Sequence, residues 1–268
     1  MQSKRLDNLL HFNNLSEYPS LFHFTTTIQG GISEGNYTSF NLGMYCGDDI
    51  DHVAENRERL ANILNVDEEN IIVPHQTHED KILVVDDSFL SKTDLEKLQL
   101  QNGVDALITN QKNICIGVTT ADCVPILIYD PVRNIFAAIH AGWKGTVAKI
   151  TQATVAKMIR SFGCNPQNLL AAIAPCISQE NFEVGEEVVQ AFIEKEFPID
   201  EIGRRNMSTG KMHIDLQLAN QLLLIASGIT PEHIEVSNLC KYNNPDKFFS
   251  ARRQTIHSGR MLTGGILK

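Results

Sequence analysis

Six cysteines and nine histidines are the residues of this 268-residue chain best suited to nucleophilic or metal chemistry. Cys123 and His140 flank two apolar runs, Pro125-Ile-Leu-Ile-Tyr and Ile135-Phe-Ala-Ala-Ile, while His75 and His78 stand close together in Val-Pro-His-Gln-Thr-His. A thiol beside an imidazole can act as an activated nucleophile. With a third ligand the same groups can hold a zinc ion, which in catalytic sites takes three protein ligands and keeps one position for water.

Whether Cys123 meets His140 depends on the turn between them. Asp130-Pro131-Val132-Arg133 has proline at the second position, where its fixed φ suits a type I turn. Pairing Asp130 with Arg133 predicts Tyr129 opposite Asn134, Leu127 opposite Phe136 and Cys123 opposite His140, with Cβ atoms roughly 4.5–5.5 Å apart. A longer loop shifts that register, and a one-residue slip puts the two groups on opposite faces. After His140 the chain reads Ala141-Gly142-Trp143-Lys144-Gly145-Thr146 and enters a helix, whose unpaired N–H groups attract anions. His75 or His78, at the end of another short strand, can supply the third ligand. Spacing alone does not choose between them.

Short β-type runs fill the middle of the chain: Ile71-Ile-Val, Ile82-Leu-Val-Val, Asp105-Ala-Leu-Ile-Thr, Ile114-Cys-Ile-Gly-Val, and the two runs around the turn. Their spacings are too short for crossover helices, which predicts a largely antiparallel meander. Apolar residues at helical spacing predict helices from Asp51 to Leu64 and from Lys144 to Phe162, with two more from Glu186 to Lys195 and from Asp215 to Ala226. Sheets covered by helices, without β-α-β alternation, predict an α/β sandwich of the α+β kind. No repeat or linker divides the chain, so one domain over residues 1–268 is expected.

A formal charge of −9 and the lack of any Lys/Arg cluster argue against nucleic acid as a partner. The most apolar region, from Ile114 to Tyr129, is interrupted by Asp122 and Pro125, so no membrane span is expected. The N-terminus lacks the apolar core of a secretion signal, and the cysteines are too sparse for a disulfide scaffold. The cytoplasm is the expected location.

Over almost its whole length the sequence resembles the YfiH-like and YlmD-like, or laccase-domain, proteins, described as purine nucleoside phosphorylases. The resemblance rests on the order of Gln29-Gly-Gly-Ile-Ser-Glu-Gly, Ser39-Phe-Asn-Leu-Gly, Gly47-Asp-Asp, Glu55-Asn-Arg, His75-Gln-Thr-His78, Asp105-Ala-Leu-Ile-Thr and Thr120-Ala-Asp-Cys-Val-Pro. It continues through His140-Ala-Gly-Trp-Lys-Gly, Ala174-Pro-Cys-Ile, Phe182-Glu-Val-Gly, Phe249-Ser-Ala-Arg-Arg and Gly259-Arg-Met. It implies a four-layer α-β-β-α sandwich, a fold shared with bacterial toxins that carry a Cys–His dyad. It implies His78, Cys123 and His140 as metal ligands, leaving His75 a structural role. The implied activities are phosphorolysis of adenosine, inosine and methylthioadenosine to base and a ribose 1-phosphate species, and deamination of adenosine, with Zn²⁺ as cofactor and Cu²⁺ as a possible substitute.

Phosphate on an acidic chain requires local arginine, whose fork binds it bidentately. The candidates within these motifs are Arg57, Arg252, Arg253 and Arg260, with Ser250 beside them. Many family members have arginine in Thr-Thr-Arg-x-Gly-Gly, where this chain has Ile28. Asp122 is expected to point away from a metal held by Cys123, Cys176 to lie in the core, and Trp143 either to stack on a purine or to cover the core. Multicopper oxidation requires many histidines, commonly in His-x-His pairs, and the chain has no such pair. Phenol oxidation is therefore a side reaction of a copper-loaded site at most. The alternative that the resemblance implies, through the related toxin fold and family members linked to cell-wall precursor editing, is a Cys–His hydrolase with Cys123 as nucleophile, acting as an amidase on such precursors.

Overall fold

A computed structural model describes residues 9–268. Its strands are β1 (Leu9–Leu10), β2 (Leu21–Thr26), β3 (Ile71–Ile72), β4 (Ile82–Val85), β5 (Ala106–Thr109), β6 (Cys115–Thr120), β7 (Val124–Asp130), β8 (Ile135–Ala141), β9 (Leu170–Ile173), β10 (Glu183–Val184), β11 (Gly203–Arg205), β12 (Met212–Ile214), β13 (Ile234–Val236) and β14 (Met261–Leu267). They form a five-stranded sheet in the order β1-β2-β14-β6-β3, a six-stranded sheet in the order β13-β9-β7-β8-β5-β4, and a small sheet β10-β12-β11. Neighbours are antiparallel except β3 with β6, β4 with β5 and β13 with β9.

The period of two along each strand sorts side chains into layers. On β8, Phe136 and Ala138 face Ile116, Val118 and Leu267 of the five-stranded sheet. Ile135, Ala137 and Ile139 face the other way, onto Ile150, Val155 and Met158 of the helix Ile150–Phe162. The helix Ile50–Leu64 covers the far side of the five-stranded sheet by packing Leu60 and Ala61 against Phe24, Leu262 and Ile266. The layers are thus helix, sheet, sheet, helix, the expected α+β sandwich. His140 continues the series of Phe136 and Ala138, which places its imidazole at the rim of the layer between the sheets.

Three sequence expectations need correction. Consecutive runs do not form one meander, because β3 and β6 lie in one sheet while β4, β5, β7 and β8 lie in the other. Strands buried on both faces are apolar throughout, so their composition does not say which sheet they join; β7 is buried along its whole length. The helix expected from Lys144 to Phe162 is two helices, Trp143–Val147 and Ile150–Phe162, separated at Lys149, which has a left-handed backbone with φ of 60°. The turn after β7 is longer than a type I turn. Asp130 pairs with Ile135 rather than Arg133, Asn134 is left-handed at φ 54°, and the Asp130 carboxylate accepts the Val132 and Arg133 N–H groups.

The inter-sheet face of β2 carries a buried histidine. His23 accepts the Phe12 N–H at Nε2 (2.7 Å), and burial, with the neighbouring His11, holds its imidazole down to about 4. An unfolded chain takes up this proton near pH 6.5 and the folded chain does not until about pH 4, so acidification through that window favours unfolding. His23→Gln is expected to flatten the pH dependence, shrinking the drop in unfolding free energy between pH 7 and pH 5 by about 2 kcal/mol. Denaturant titrations at the two pH values check this, and an undiminished drop would refute it. No described helix is long and apolar enough to cross a membrane.

Candidate metal centre and its cavity

Three chain segments meet at the rim between the sheets. The first is the passage from β6 to β7, where the chain changes sheets through Ala121, Asp122 and Cys123. The second is the end of β8 at His140, and the third is the loop between β3 and β4 that carries His78. One ligand atom from each of His78, Cys123 and His140 lies within 4.8 Å of the others, the sole such three-residue cluster among the described residues. Tetrahedral zinc with bonds of about 2.0–2.3 Å separates its ligands by about 3.3–3.8 Å, so a small inward movement suffices. Two imidazoles and a thiolate are a donor set suited to zinc or copper, and the residues present fit the metal that the resemblance implies.

Asp105, which sequence reasoning left unassigned, orders the whole cluster. It immediately precedes β5, whose register pairs Ala106 with Ile139, so Asp105 falls beside His140. Its backbone carbonyl accepts the His140 N–H at 2.7 Å, and its carboxylate Oδ1 accepts the His140 Nδ1–H at 2.6 Å. The same carboxylate accepts the backbone N–H groups of Thr77 (3.2 Å), His78 (3.1 Å) and Glu79 (2.9 Å). One buried anion thus aims the free Nε2 of His140 and shapes the loop that presents His78, which has a left-handed backbone at φ 65°. The signal available in the sequence was an acid heading an otherwise apolar strand.

Gln76 ties that loop to β6 by receiving the Thr119 N–H on Oε1 (2.8 Å) and donating Nε2–H to the Thr119 carbonyl (2.9 Å). His75 is turned away from the cluster. Its Nδ1 bonds Asn102 at 2.7 Å and its ring lies 4.1 Å from that of Tyr45, so the structure groups His78, not His75, with Cys123 and His140.

The actual hairpin register sets Val124 opposite Ala141 and Pro125 opposite His140, and carried one residue past the strands it brings Cys123 level with Gly142. This is a two-residue shift from the expected pairing, and because side chains repeat every two residues both groups stay on one face. Gly142 makes room for them, since a Cβ there would lie 3.0 Å from His78 Cδ2 and 3.1 Å from Cys123 Sγ. Burial alone would raise the Cys123 thiol, but the His140 charge and hydrogen bonds from both histidines outweigh it and favour the thiolate. Burial likewise disfavours the His140 imidazolium, and Cys123 with Asp105 overcome that.

The cluster opens into a cavity of about 540 Å³ that Arg57, Arg252 and Arg260 also line, together with Trp143 and Phe182. Each of these arginines is held by backbone carbonyls: Arg57 by Leu42, Arg252 by Asn181 and Glu183, and Arg260 by Ile256 and Gly259. Arg252 also lies over the Phe182 ring, 5.5 Å from its centroid. Ser250 and Arg253 do not line the cavity. Arg253 donates to the carbonyls of Lys241, Tyr242 and Phe248, and Ser250 caps the short helix Ala251–Gln254. Asp122 does not point away from the site as strand alternation predicts, because it lies in the passage between sheets with φ of 100°. It lines the cavity and accepts the Arg252 N–H at 2.6 Å. Cys176 is in the core, its thiol pushed up to about 12 by burial. Ile28 packs in the cluster of Phe248 and Phe249.

Behind the cavity lip, motif residues form a buried polar scaffold. Asn56 receives the Ile32 N–H and donates to Ser33, Ser39 and Asn41, while the Asn41 side-chain carbonyl accepts the N–H groups of Gly43 and Arg260. Those motifs therefore hold the Gly43–Cys46 lip and Arg260 in place.

Fold and cluster define a two-sheet sandwich with one candidate metal centre at its rim. The chain belongs to the family described as "Multi-copper polyphenol oxidoreductase laccase", whose model matches residues 22–268. It is 44% identical over 256 residues to "Purine nucleoside phosphorylase" of Bacteroides thetaiotaomicron, covering 96% of this chain and 95% of that protein. It is 43% identical over 242 residues to "Adenosine deaminase RL5" from an unknown prokaryotic organism, covering 90% and 92%. The crystal structure of Bacillus licheniformis hypothetical protein YfiH superposes with a TM-score of 0.89 at 32% identity, covering 98% of each chain.

Proposed function

We propose that this protein is a cytoplasmic, zinc-dependent purine nucleoside phosphorylase that cleaves adenosine, inosine and methylthioadenosine with phosphate and also deaminates adenosine. The observation that carries the reading is one cavity joining a His/Cys/His cluster to three arginines and two aromatic rings, on a chain of charge −9. The names of the two relatives above support the same activities.

His78, Cys123 and His140 would hold zinc, which when bound polarises oxygen ligands and lowers the pKa of water. In phosphorolysis a phosphate oxygen bonds to the anomeric carbon as the bond to the purine nitrogen breaks, and the base departs with the proton that the hydrogen phosphate gives up. Arg57, Arg252 and Arg260 attract the phosphate into the cavity, and their carbonyl partners hold the guanidinium planes fixed. Trp143 and Phe182 offer flat apolar faces to the purine and displace water from it. Asp105 keeps a proton on His140 Nδ1 and so keeps Nε2 available to the centre.

Bound metal and hypoxanthine release from inosine, with and without phosphate, test this reading. About one zinc per chain and phosphate-dependent release are expected, and Cys123→Ala is expected to lose both, with kcat/KM falling by about a thousandfold or more. Full activity in metal-free protein, or unchanged release in Cys123→Ala, overturns it. The thiolate–imidazolium–carboxylate line of Cys123, His140 and Asp105 favours one second reading, the Cys–His hydrolase. Iodoacetamide separates the two: a free activated nucleophile reacts at once, whereas a zinc-bound thiolate is protected until chelation.

A further inference from the structure

Lys241 is fully buried, and among the described residues no carboxylate pairs with it. Its Nζ donates to one side-chain partner, the Thr120 hydroxyl. A buried ammonium without an ion partner is costly, and such groups are retained where something compensates the charge. Burial, with Arg260, brings the Lys241 ammonium down to about 8, while Cys176, Asp122 and Cys123 favour its charge through space without bonding it, so it remains the charged donor behind Thr120 at neutral pH.

The chemistry of the one hydrogen bond gives a direction to the site. An ammonium has donors and no acceptor, so Thr120 Oγ1 must be the acceptor. The Thr120 proton then has to point elsewhere, and it finds no acceptor among the described residues. Thr120 lines the cavity alongside His78, Cys123 and His140. Thr120 is itself almost fully buried, and its hydroxyl is an obligatory donor at the cavity wall, polarised by the charge behind it.

We infer that Thr120, with Lys241 behind it, is the subsite that binds an oxygen of an anion entering this cavity, the anion being inorganic phosphate. The identity of the anion rests on the phosphorylase reading above, whereas the donor geometry does not. Thr120 touches the ligand, and Lys241 is a positioning residue that orients and polarises the hydroxyl. An anion there accepts from Thr120 and meets the charge of Lys241 behind it, whereas a neutral purine acceptor would leave that ammonium without an ion partner.

The test titrates the zinc-loaded, full-length enzyme with inorganic phosphate by calorimetry, then measures KM for phosphate and for inosine separately. Thr120→Val is expected to weaken phosphate binding about tenfold, the effect of one hydrogen bond to a charged group, while KM for inosine changes less than about twofold. Thr120→Ser, which keeps the hydroxyl, restores binding to within about threefold of wild type. Lys241→Met weakens phosphate to a similar degree, and the double variant is no worse than either single one, because the two groups act as a unit. Phosphate binding within twofold of wild type in Thr120→Val overturns the subsite, as does an equal rise in both KM values. Wild-type enzyme that binds phosphate through Thr120 but releases no hypoxanthine overturns the phosphorylase reading and leaves the subsite standing.

Discussion

Asp105→Ala is expected to weaken metal binding by about 10–100-fold and to lower the unfolding free energy by about 4 kcal/mol. The carboxylate is fully buried and accepts from four donors, the His140 ring and the N–H groups of Thr77, His78 and Glu79. Removing it leaves a buried imidazole and three backbone donors without their acceptor, each costing roughly 1–3 kcal/mol, although water reaches the more exposed loop groups and reduces the sum. The metal loss has a separate cause. With Asp105 gone, neither the His140 tautomer nor the left-handed loop at His78 is held, and groups that orient metal-binding histidines are typically worth 10–100-fold in affinity. Asp105→Asn should fall between, since its amide oxygen can still accept two of the four donors but presents NH₂ to the other two. Chelator competition and denaturant unfolding read the two effects, and metal affinity within threefold of wild type in Asp105→Ala would refute the assignment.

Gly142→Ala is expected to cost at least about tenfold in metal affinity and in turnover while leaving the fold nearly intact. The backbone at Gly142 has φ of −70°, which any residue adopts, so no conformational strain accompanies the substitution. The added methyl instead enters the space between the side chains of the cluster, 3.0 Å from His78 Cδ2 and 3.1 Å from Cys123 Sγ. Both must retreat by several tenths of an ångström, and a three-ligand site depends on placement at that scale. The stability cost of such overpacking at a cavity edge is about 1–2 kcal/mol. Metal content by mass spectrometry against thermal unfolding separates the two effects. A variant that keeps its metal and its rate would show that the cluster closes by another route.

The expected register of the hairpin was wrong by two residues, yet Cys123 and His140 still meet. A strand repeats every two residues, so any even shift preserves the face. What the turn residues did not reveal was the left-handed Asn134, which lengthens the loop. The choice of His78 over His75 shows the opposite case. Both sit in one short loop, and only the carboxylate of Asp105, 26 or more residues away in the chain, pulls the His78 backbone into place. The arginines divide in the same way. Five polar candidates are equivalent in sequence, but Arg253 spends its guanidinium on three carbonyls of its own segment and Ser250 caps a helix, while three arginines reach the cavity.

By itself the sequence determined the layered α+β architecture, the helices that cover it and the shared face of a thiol and an imidazole, because these follow from local periodicity, which an even shift of register leaves intact. Only the tertiary structure decided which strands share a sheet, that Asp105 governs both histidines, and that Lys241 is buried beneath Thr120. Each of these depends on contacts between segments far apart in the chain, and a carboxylate or an ammonium acquires its meaning from the charges and donors that folding brings around it.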